Sequence, residues 1–178
     1  GQVRGINAKG CASFSRKQID DLGVYASQFG AKGLAWIKVT DRGLESSIVK
    51  FFPEQAQTLL SNDTGAEPGD LLLFAADEPL VVAEVLGNIR LELARQLNLV
   101  DPSSFGFTWI THFPLLEWDD ETKRYVACHH PFTSPLEEDL DGMEDDPAAV
   151  RARAYDLVIN GHEIAGGSVR INRRDVQE

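Results

Sequence analysis

The chain predicts an α+β fold. A small unit of mixed helices and antiparallel sheet spans residues 1–98, and a second unit of antiparallel sheet spans 105–178. Three observations predict this. Apolar residues recur at helical spacing in two stretches of the first half. Short apolar runs bounded by turn residues alternate with those helices. In the last third, hairpin signals replace helical ones, the strongest being Asn160-Gly161 between two strand-like runs. With 178 residues, 43% hydrophobic and 25% charged, the chain has a globular composition and room for one ordinary domain or two small ones.

The elements follow in order. Ser15 and Gln18 form a capping box, after which Ile19, Leu22, Ala26 and Phe29 recur at helical spacing until Gly30 or Gly33 ends the helix. Leu34 to Val39 is a short strand, Asp41-Arg42-Gly43 a turn, and Leu44 to Phe51 a second strand. Pro53 suits the first turn of a helix running to Leu60. Gly65 and Pro68-Gly69 break the chain before a buried strand from Leu71 to Ala76, and a longer helix runs from about Leu80 to Leu97. Asn98 to Ser104, with Asp101-Pro102, marks the boundary. Beyond it, Phe105 to Phe113 is a strand, and Leu115–Trp118 and Arg124–Cys128 form a hairpin around a polar loop. An acidic loop comes next, then a helix from Pro147 to about Arg153, then a hairpin of Asp156–Ile159 with His162–Ile171.

The formal net charge of −11 argues against non-specific nucleic-acid binding by the piece as a whole. The acidic run from Glu137 to Asp146 reads as a solvated loop, without the spacing of a calcium site. Cys11 and Cys128 are far apart and read as free thiols. No apolar run approaches the ~20 residues that span a bilayer, and residues 1–14 lack a signal-peptide core, so a cytoplasmic protein is expected.

Two polar clusters stand out, Cys128 to Pro135 and Tyr155 to Ile171. A two-residue turn pairs Ile159 with His162 and Val158 with Glu163, so Asp156 and Glu163 share one face, while Leu157, Ile159 and Ile164 point the other way, into a core. Arg170 joins the two acids only if a bulge, invited by Gly166-Gly167, switches the face. The resulting patch is either a salt-bridge network on a wet sheet face or a ligand site. In a ligand site the acids hold Mg²⁺ already bound to phosphates, and the arginine clamps a carboxylate or phosphate. The His129-His130 segment enters a loop held by Pro131 and Pro135, which presents a histidine, Thr133 and Ser134; a histidine binding a carboxylate is favoured over a Ser134 nucleophile, which lacks a glycine-rich elbow, and a structural histidine beside a turn stays open as the bland reading. A metal hydrolase using Asp156, Glu163 and His129 is a further alternative, and requires those groups to converge.

At these residues the chain resembles the bacterial-type aspartyl-tRNA synthetases, which are class II enzymes. Residues 15–20 and 30–37 resemble the GAD-like domain inserted in that family and related to one in the B subunit of the tRNA-dependent amidotransferase. Phe113-Pro114-Leu115, His129 to Pro135 and Tyr155 to Ile171 resemble part of the antiparallel-sheet catalytic domain. The resemblance implies a chemistry in which L-aspartate and ATP give aspartyl-adenylate and the aspartyl group passes to tRNA. It implies Asp156 and Glu163 as the acids that hold ATP-bound Mg²⁺, with Gly167 and Ser168 along the ATP side of the pocket. Arg170, His129 and His130 are implied as binders of substrate aspartate. It also implies a homodimeric parent enzyme with no tightly bound cofactor.

His112, Ala165 and Asn172 depart from the family's usual aspartate, glycine and histidine at those places. By the same resemblance, the anticodon-binding barrel and the other class II motifs are absent, so the isolated chain is expected not to aminoacylate tRNA. The competing expectation is a non-catalytic interaction or structural module centred on residues 1–98.

Overall fold

The computed structural model describes residues 1–177, in two compact units, Gly1–Asp101 and Pro102–Glu178. In the first unit, β1 (Gln2–Ala8), β2 (Ala35–Thr40), β3 (Gly43–Glu45) and β4 (Leu71–Asp77) form one antiparallel sheet in the order β1-β4-β2-β3. The interior position of β4 explains its unbroken apolar run, because both of its faces are covered. Leu71, Leu73 and Ala75 pack against α1 (Arg16–Ser27) and α3 (Pro79–Gln96), meeting Ile19, Leu22, Val82, Val85 and Ile89. Leu72 faces the other way, toward Ile37, Val39 and Leu60 of α2 (Glu54–Asp63). Each fully buried leucine of β4 stabilises the unit by about 2 kcal/mol relative to exposure.

The capping box at α1 forms as expected: the Gln18 N–H donates to Ser15 Oγ, and the Ser15 N–H donates to Gln18 Oε1. Gly30, at φ 89°, turns the chain out of the helix. Asp70 ties the end of β1 to the start of β4. Its carboxylate accepts from the backbone N–H groups of Gly10 and Glu67, both at 3.0 Å, from Asn7 Nδ2 at 3.1 Å and from Lys9 Nζ at 2.9 Å. Burial opposes ionisation of Asp70, but those donors outweigh it and hold the carboxyl well below the usual range.

Four expectations for local structure change. The N-terminal strand β1 is not marked in the sequence, since Arg4 and Gly5 interrupt any apolar alternation. Gly5 is required there because a Cβ would lie 2.5 Å from the Phe74 ring and 2.9 Å from the Leu73 carbonyl oxygen. The strand expected over Leu44–Phe51 stops at Glu45, and Val49–Phe51 is a 3₁₀ turn that brings Ile48 and Val49 against the sheet. Pro53 caps α2 rather than opening it, and α2 runs on to Asp63. The helix expected over Pro147–Arg153 is a single 3₁₀ turn, Pro147–Ala149. Beyond it the backbone is extended: the Leu115 N–H donates to the Val150 carbonyl at 2.8 Å, and the Ala152 N–H to that of Phe113 at 2.6 Å. Tertiary pairing there overrides local helical preference.

In the second unit, β5 (Phe107–Thr111), β8 (Ala154–Ile159) and β9 (His162–Ser168) form an antiparallel sheet in the order β5-β8-β9. A separate hairpin pairs β6 (Leu116–Asp119) with β7 (Arg124–Ala127). A four-residue helix, α4 (Arg174–Gln177), follows. The acidic run is not simply a solvated loop. Glu137–Gly142 winds into a 3₁₀ turn held by Arg151, whose guanidinium donates to both Asp139 oxygens and to Glu138. Both cysteines are free. Among the described residues no helix is long and apolar enough to cross a membrane.

Candidate functional site

Asn160 and Gly161, at φ 49° and 87°, make the turn between β8 and β9, with two consecutive left-handed residues as a type I′ turn needs. Ile159 pairs with His162 and Val158 with Glu163, as the turn predicts. The register then shifts between Leu157 and Val158: Leu157 pairs with Ala165, leaving Ile164 as the extra residue. The bulge therefore lies at Ile164 and not at Gly166-Gly167. Its effect on the faces is the expected one. Gly166 comes opposite Asp156 and Ser168 opposite Ala154, so Glu163, Gly166, Ser168 and Arg170 share the face of Asp156.

The two glycines serve a different purpose. A Cβ on Gly166 would lie 2.5 Å from Asp156 Oδ1 and 3.1 Å from Glu163 Oε1, so both carboxylates reach over this one residue. A Cβ on Gly167, on the opposite face, would lie 2.8 Å from the Tyr155 hydroxyl. The pair clears space on both sides of the strand.

The loop carrying the histidines is stitched to the same sheet. The Ser134 N–H donates to the Val169 carbonyl at 2.8 Å, the Arg153 N–H to that of Ser134 at 2.8 Å, and the Ile171 N–H to that of Phe132 at 2.9 Å. Thr133 bridges Arg170 and is buried, with its hydroxyl 3.4 Å from Ser168 Oγ. Between Pro131 and Pro135 the chain makes a turn, closed by the Thr133 N–H donating to the His130 carbonyl at 2.9 Å, and then pairs through Thr133 and Pro135 rather than looping freely.

These elements enclose an open pocket of about 380 Å³. All the sequence-predicted groups line it: His129, His130, Asp156, Glu163, Gly167, Ser168 and Arg170. Sequence reasoning gave no site role to Phe113, Thr133 and Ala154, which also line it. Phe113 belongs to the Phe-Pro-Leu run and so was marked as a motif, while its ring contact with His129 has no local signature. Ser134 and His112 are not among the lining residues. His112 sits at φ 60° with Nδ1 2.9 Å from Thr111 Oγ1.

Among the described residues, Asp156, Glu163 and Arg170 form no ion pair within 4.0 Å with each other or with another side chain. The salt-bridge network expected as the alternative is therefore absent, and the charges face the pocket. Nor do three His, Cys, Asp or Glu side chains among the described residues converge on a metal-sized site. That removes the metal hydrolase reading. Two carboxylates can complete a metal's shell when the metal arrives with phosphate oxygens.

The other face of this sheet is not a core. Phe107, Trp109, Tyr155 and Ile164 are exposed there, with Trp109 and Tyr155 in edge-to-face contact at 5.9 Å, so the expected burial fails for Ile164, while Leu157 and Ile159 are half-buried. A larger cavity, about 620 Å³, lies in the first unit. Its wall is apolar, including Ile37, Ile48, Phe52, Leu60 and Phe74, with Lys32 as its one charged residue, so it offers no convergent chemistry.

The GAD domain family model matches residues 1–86. Over all 178 residues the chain is 57% identical to the aspartate–tRNA(Asp/Asn) ligase of Heliobacterium modesticaldum, covering 29% of that protein. It is 54% identical to the ligase of the same name from Geotalea uraniireducens, over 99% of this chain and 30% of the relative. The same ligase from Anoxybacillus flavithermus is 55% identical, over 100% of this chain and 30% of the relative. The chain thus spans about three-tenths of the length of the curated relatives it matches. Residues 1–86 thus match the GAD domain family, and the whole chain is similar to about three-tenths of these aspartate–tRNA(Asp/Asn) ligases.

Proposed function

We propose that this chain supplies one wall of the amino-acid activation site of a cytoplasmic aspartate–tRNA ligase. The observation that carries the reading is a pocket in which two carboxylates, an arginine and two histidines face one space without neutralising one another. A pocket of that kind accommodates a ligand that brings both signs of charge, as L-aspartate and Mg·ATP together do.

In this reading Asp156 and Glu163 hold the Mg²⁺ of Mg·ATP, with Gly167 and Ser168 lining the nucleotide side. Arg170 pairs with the side-chain carboxylate of L-aspartate through two donors, and His129 and His130 add hydrogen bonds to it. The α-carboxylate oxygen then attacks the α-phosphorus. A carboxyl–phosphorus bond forms, the bond to the β-phosphate oxygen breaks, and pyrophosphate leaves. The substrate is itself the nucleophile, so orientation and charge stabilisation are what the protein contributes. The aspartyl group then passes to the terminal adenosine of tRNA. The relatives' shared name extends the proposal to both tRNA-Asp and tRNA-Asn, which charging assays with each transcript check. A homodimer is proposed for the full-length enzyme.

The test is aspartate-dependent ATP–pyrophosphate exchange. The full-length ligase carrying this segment is expected to show it, and Arg170→Ala is expected to raise the aspartate KM at least tenfold while changing the ATP KM little. The isolated 178-residue chain is expected to show no exchange. Wild-type aspartate affinity in the Arg170 variant would overturn the assignment. For the first unit, the apolar cavity and the absence of clustered titratable groups around it favour a non-catalytic interaction role.

A further inference from the structure

The two histidines of the pocket are held in different ways. His130 is fixed by the backbone: the Phe132 N–H donates to its Nδ1 at 3.2 Å, and its ring leans on that of Phe132 at 5.2 Å. Accepting at Nδ1 places the proton of a neutral His130 on Nε2, so it presents a single N–H donor. His129 makes no hydrogen bond through either ring nitrogen among the described residues. Its one ring contact is with Phe113, edge to face, with centroids 5.0 Å apart and planes at 84°.

Phe113 is anchored independently of His129. Its carbonyl accepts from the Ala152 N–H at 2.6 Å, the next residue bridges Arg151, and its side chain packs against the small core of Leu115, Val150 and Ala152. The contact therefore runs from a fixed ring to an otherwise untethered one. An exposed imidazole left to itself samples several rotamers, and aligning it on binding costs entropy.

We infer that Phe113 is the positioning residue for His129, holding the imidazole toward the aspartate carboxylate while leaving both ring nitrogens free for it. This rests on the aspartate-binding reading of the pocket. Phe113 lines the same pocket, but in this inference it acts through His129, and its effect falls on aspartate affinity and not on ATP.

A double-mutant cycle in the full-length ligase tests this. Phe113→Leu removes the ring edge, and the aspartate KM is expected to rise roughly three- to tenfold, as the loss of one aromatic pair allows, with the ATP KM within about twofold of wild type. His129→Ala is expected to raise the aspartate KM as well. In the His129→Ala background, Phe113→Leu is expected to add less than about twofold. Where Phe113→Leu does not fold, Phe113→Met keeps an apolar side chain of similar bulk without a ring and reads the same difference. Equal effects of the Phe113 substitution with and without His129 would overturn the inference and leave the aspartate site standing. No change in aspartate KM for Arg170→Ala would instead remove the site itself.

Discussion

Two glycines in β-strands, Gly166 and Gly5, show how differently one added methyl group can act. At Gly166 a Cβ would meet the ends of two flexible carboxylate side chains, Asp156 and Glu163. They can swing away, so the fold survives and the placement of the carboxylates does not. At Gly5 a Cβ would meet the Phe74 ring and a backbone carbonyl, neither of which can yield without moving the sheet. Gly166→Ala in the full-length enzyme is therefore expected to weaken Mg·ATP binding by about tenfold or more with little change in melting temperature. Gly5→Ala is expected to cost about 1–3 kcal/mol of stability, as overpacking does, and to leave any nucleotide binding by the second unit unchanged. Equilibrium titration with Mg·ATP and thermal unfolding on both variants check the contrast, and equal destabilisation by the two would contradict it.

Elements fall into two groups by how their residues come together. Helices α1 and α3 and strand β4 were legible in the sequence because each carries its own period: Ile19, Leu22 and Ala26 on one helix, Val82, Val85 and Ile89 on another, and the apolar run Leu71–Leu72–Leu73. Strand β1 was not, since Gly5 and Arg4 serve pairing and not burial. The extended stretch at 150–152 was not, since it is made by hydrogen bonds to residues 113–115 far back in the chain. In the site, alternation in a strand plus one expected bulge suffices to gather Asp156, Glu163 and Arg170, but the glycines point to a bulge at 166–167 and the structure forms it at Ile164.

The acidic segment Glu137–Gly142 also depends on a distant partner. Side-chain hydrogen bonds from the Arg151 guanidinium, with its backbone N–H, lower the Asp139 carboxyl to about 2. A carboxylate whose folded value is lowered contributes stability that is fully present above the ordinary value near 4 and is lost as the pH falls through about 2. Amide exchange of Leu136 and Arg151 is expected to accelerate across that window, and Asp139→Asn is expected to show the faster exchange already at neutral pH. Unchanged exchange in Asp139→Asn would separate the segment's order from this ion pair.

At the scale of the whole molecule, the two units differ in how complete they are. In Gly1–Asp101 the interior strand β4 is buried on both faces and thirteen buried residues form one cluster. Among the described residues, the second unit's buried cluster is Leu115, Val150 and Ala152, with Phe113, Leu116, Met143 and Ala154 half-buried against it, and its three-stranded sheet leaves Phe107, Trp109 and Ile164 exposed. Residues 1–101 expressed alone are expected to unfold in one cooperative transition. Residues 102–178 alone are expected to bind a hydrophobic dye and to associate with rising concentration, as an exposed apolar face does. Dye fluorescence and sedimentation check this, and a dye-silent monomer of 102–178 would show that the face is hidden by rearrangement.

The single unpaired residue at Ile164 has a consequence that is arithmetical before it is chemical. Glu163 is odd-numbered, and Gly166, Ser168 and Arg170 are even, yet all four belong to one face. Only the residue that the ladder skips reconciles the two parities. Ile164 is thus replaceable by many side chains and removable by none: excising it would leave every pocket residue in the sequence while sending the arginine to the wrong side of the strand. The pocket is written in a count as much as in an alphabet, and its most fragile position is one whose side chain takes no part in it.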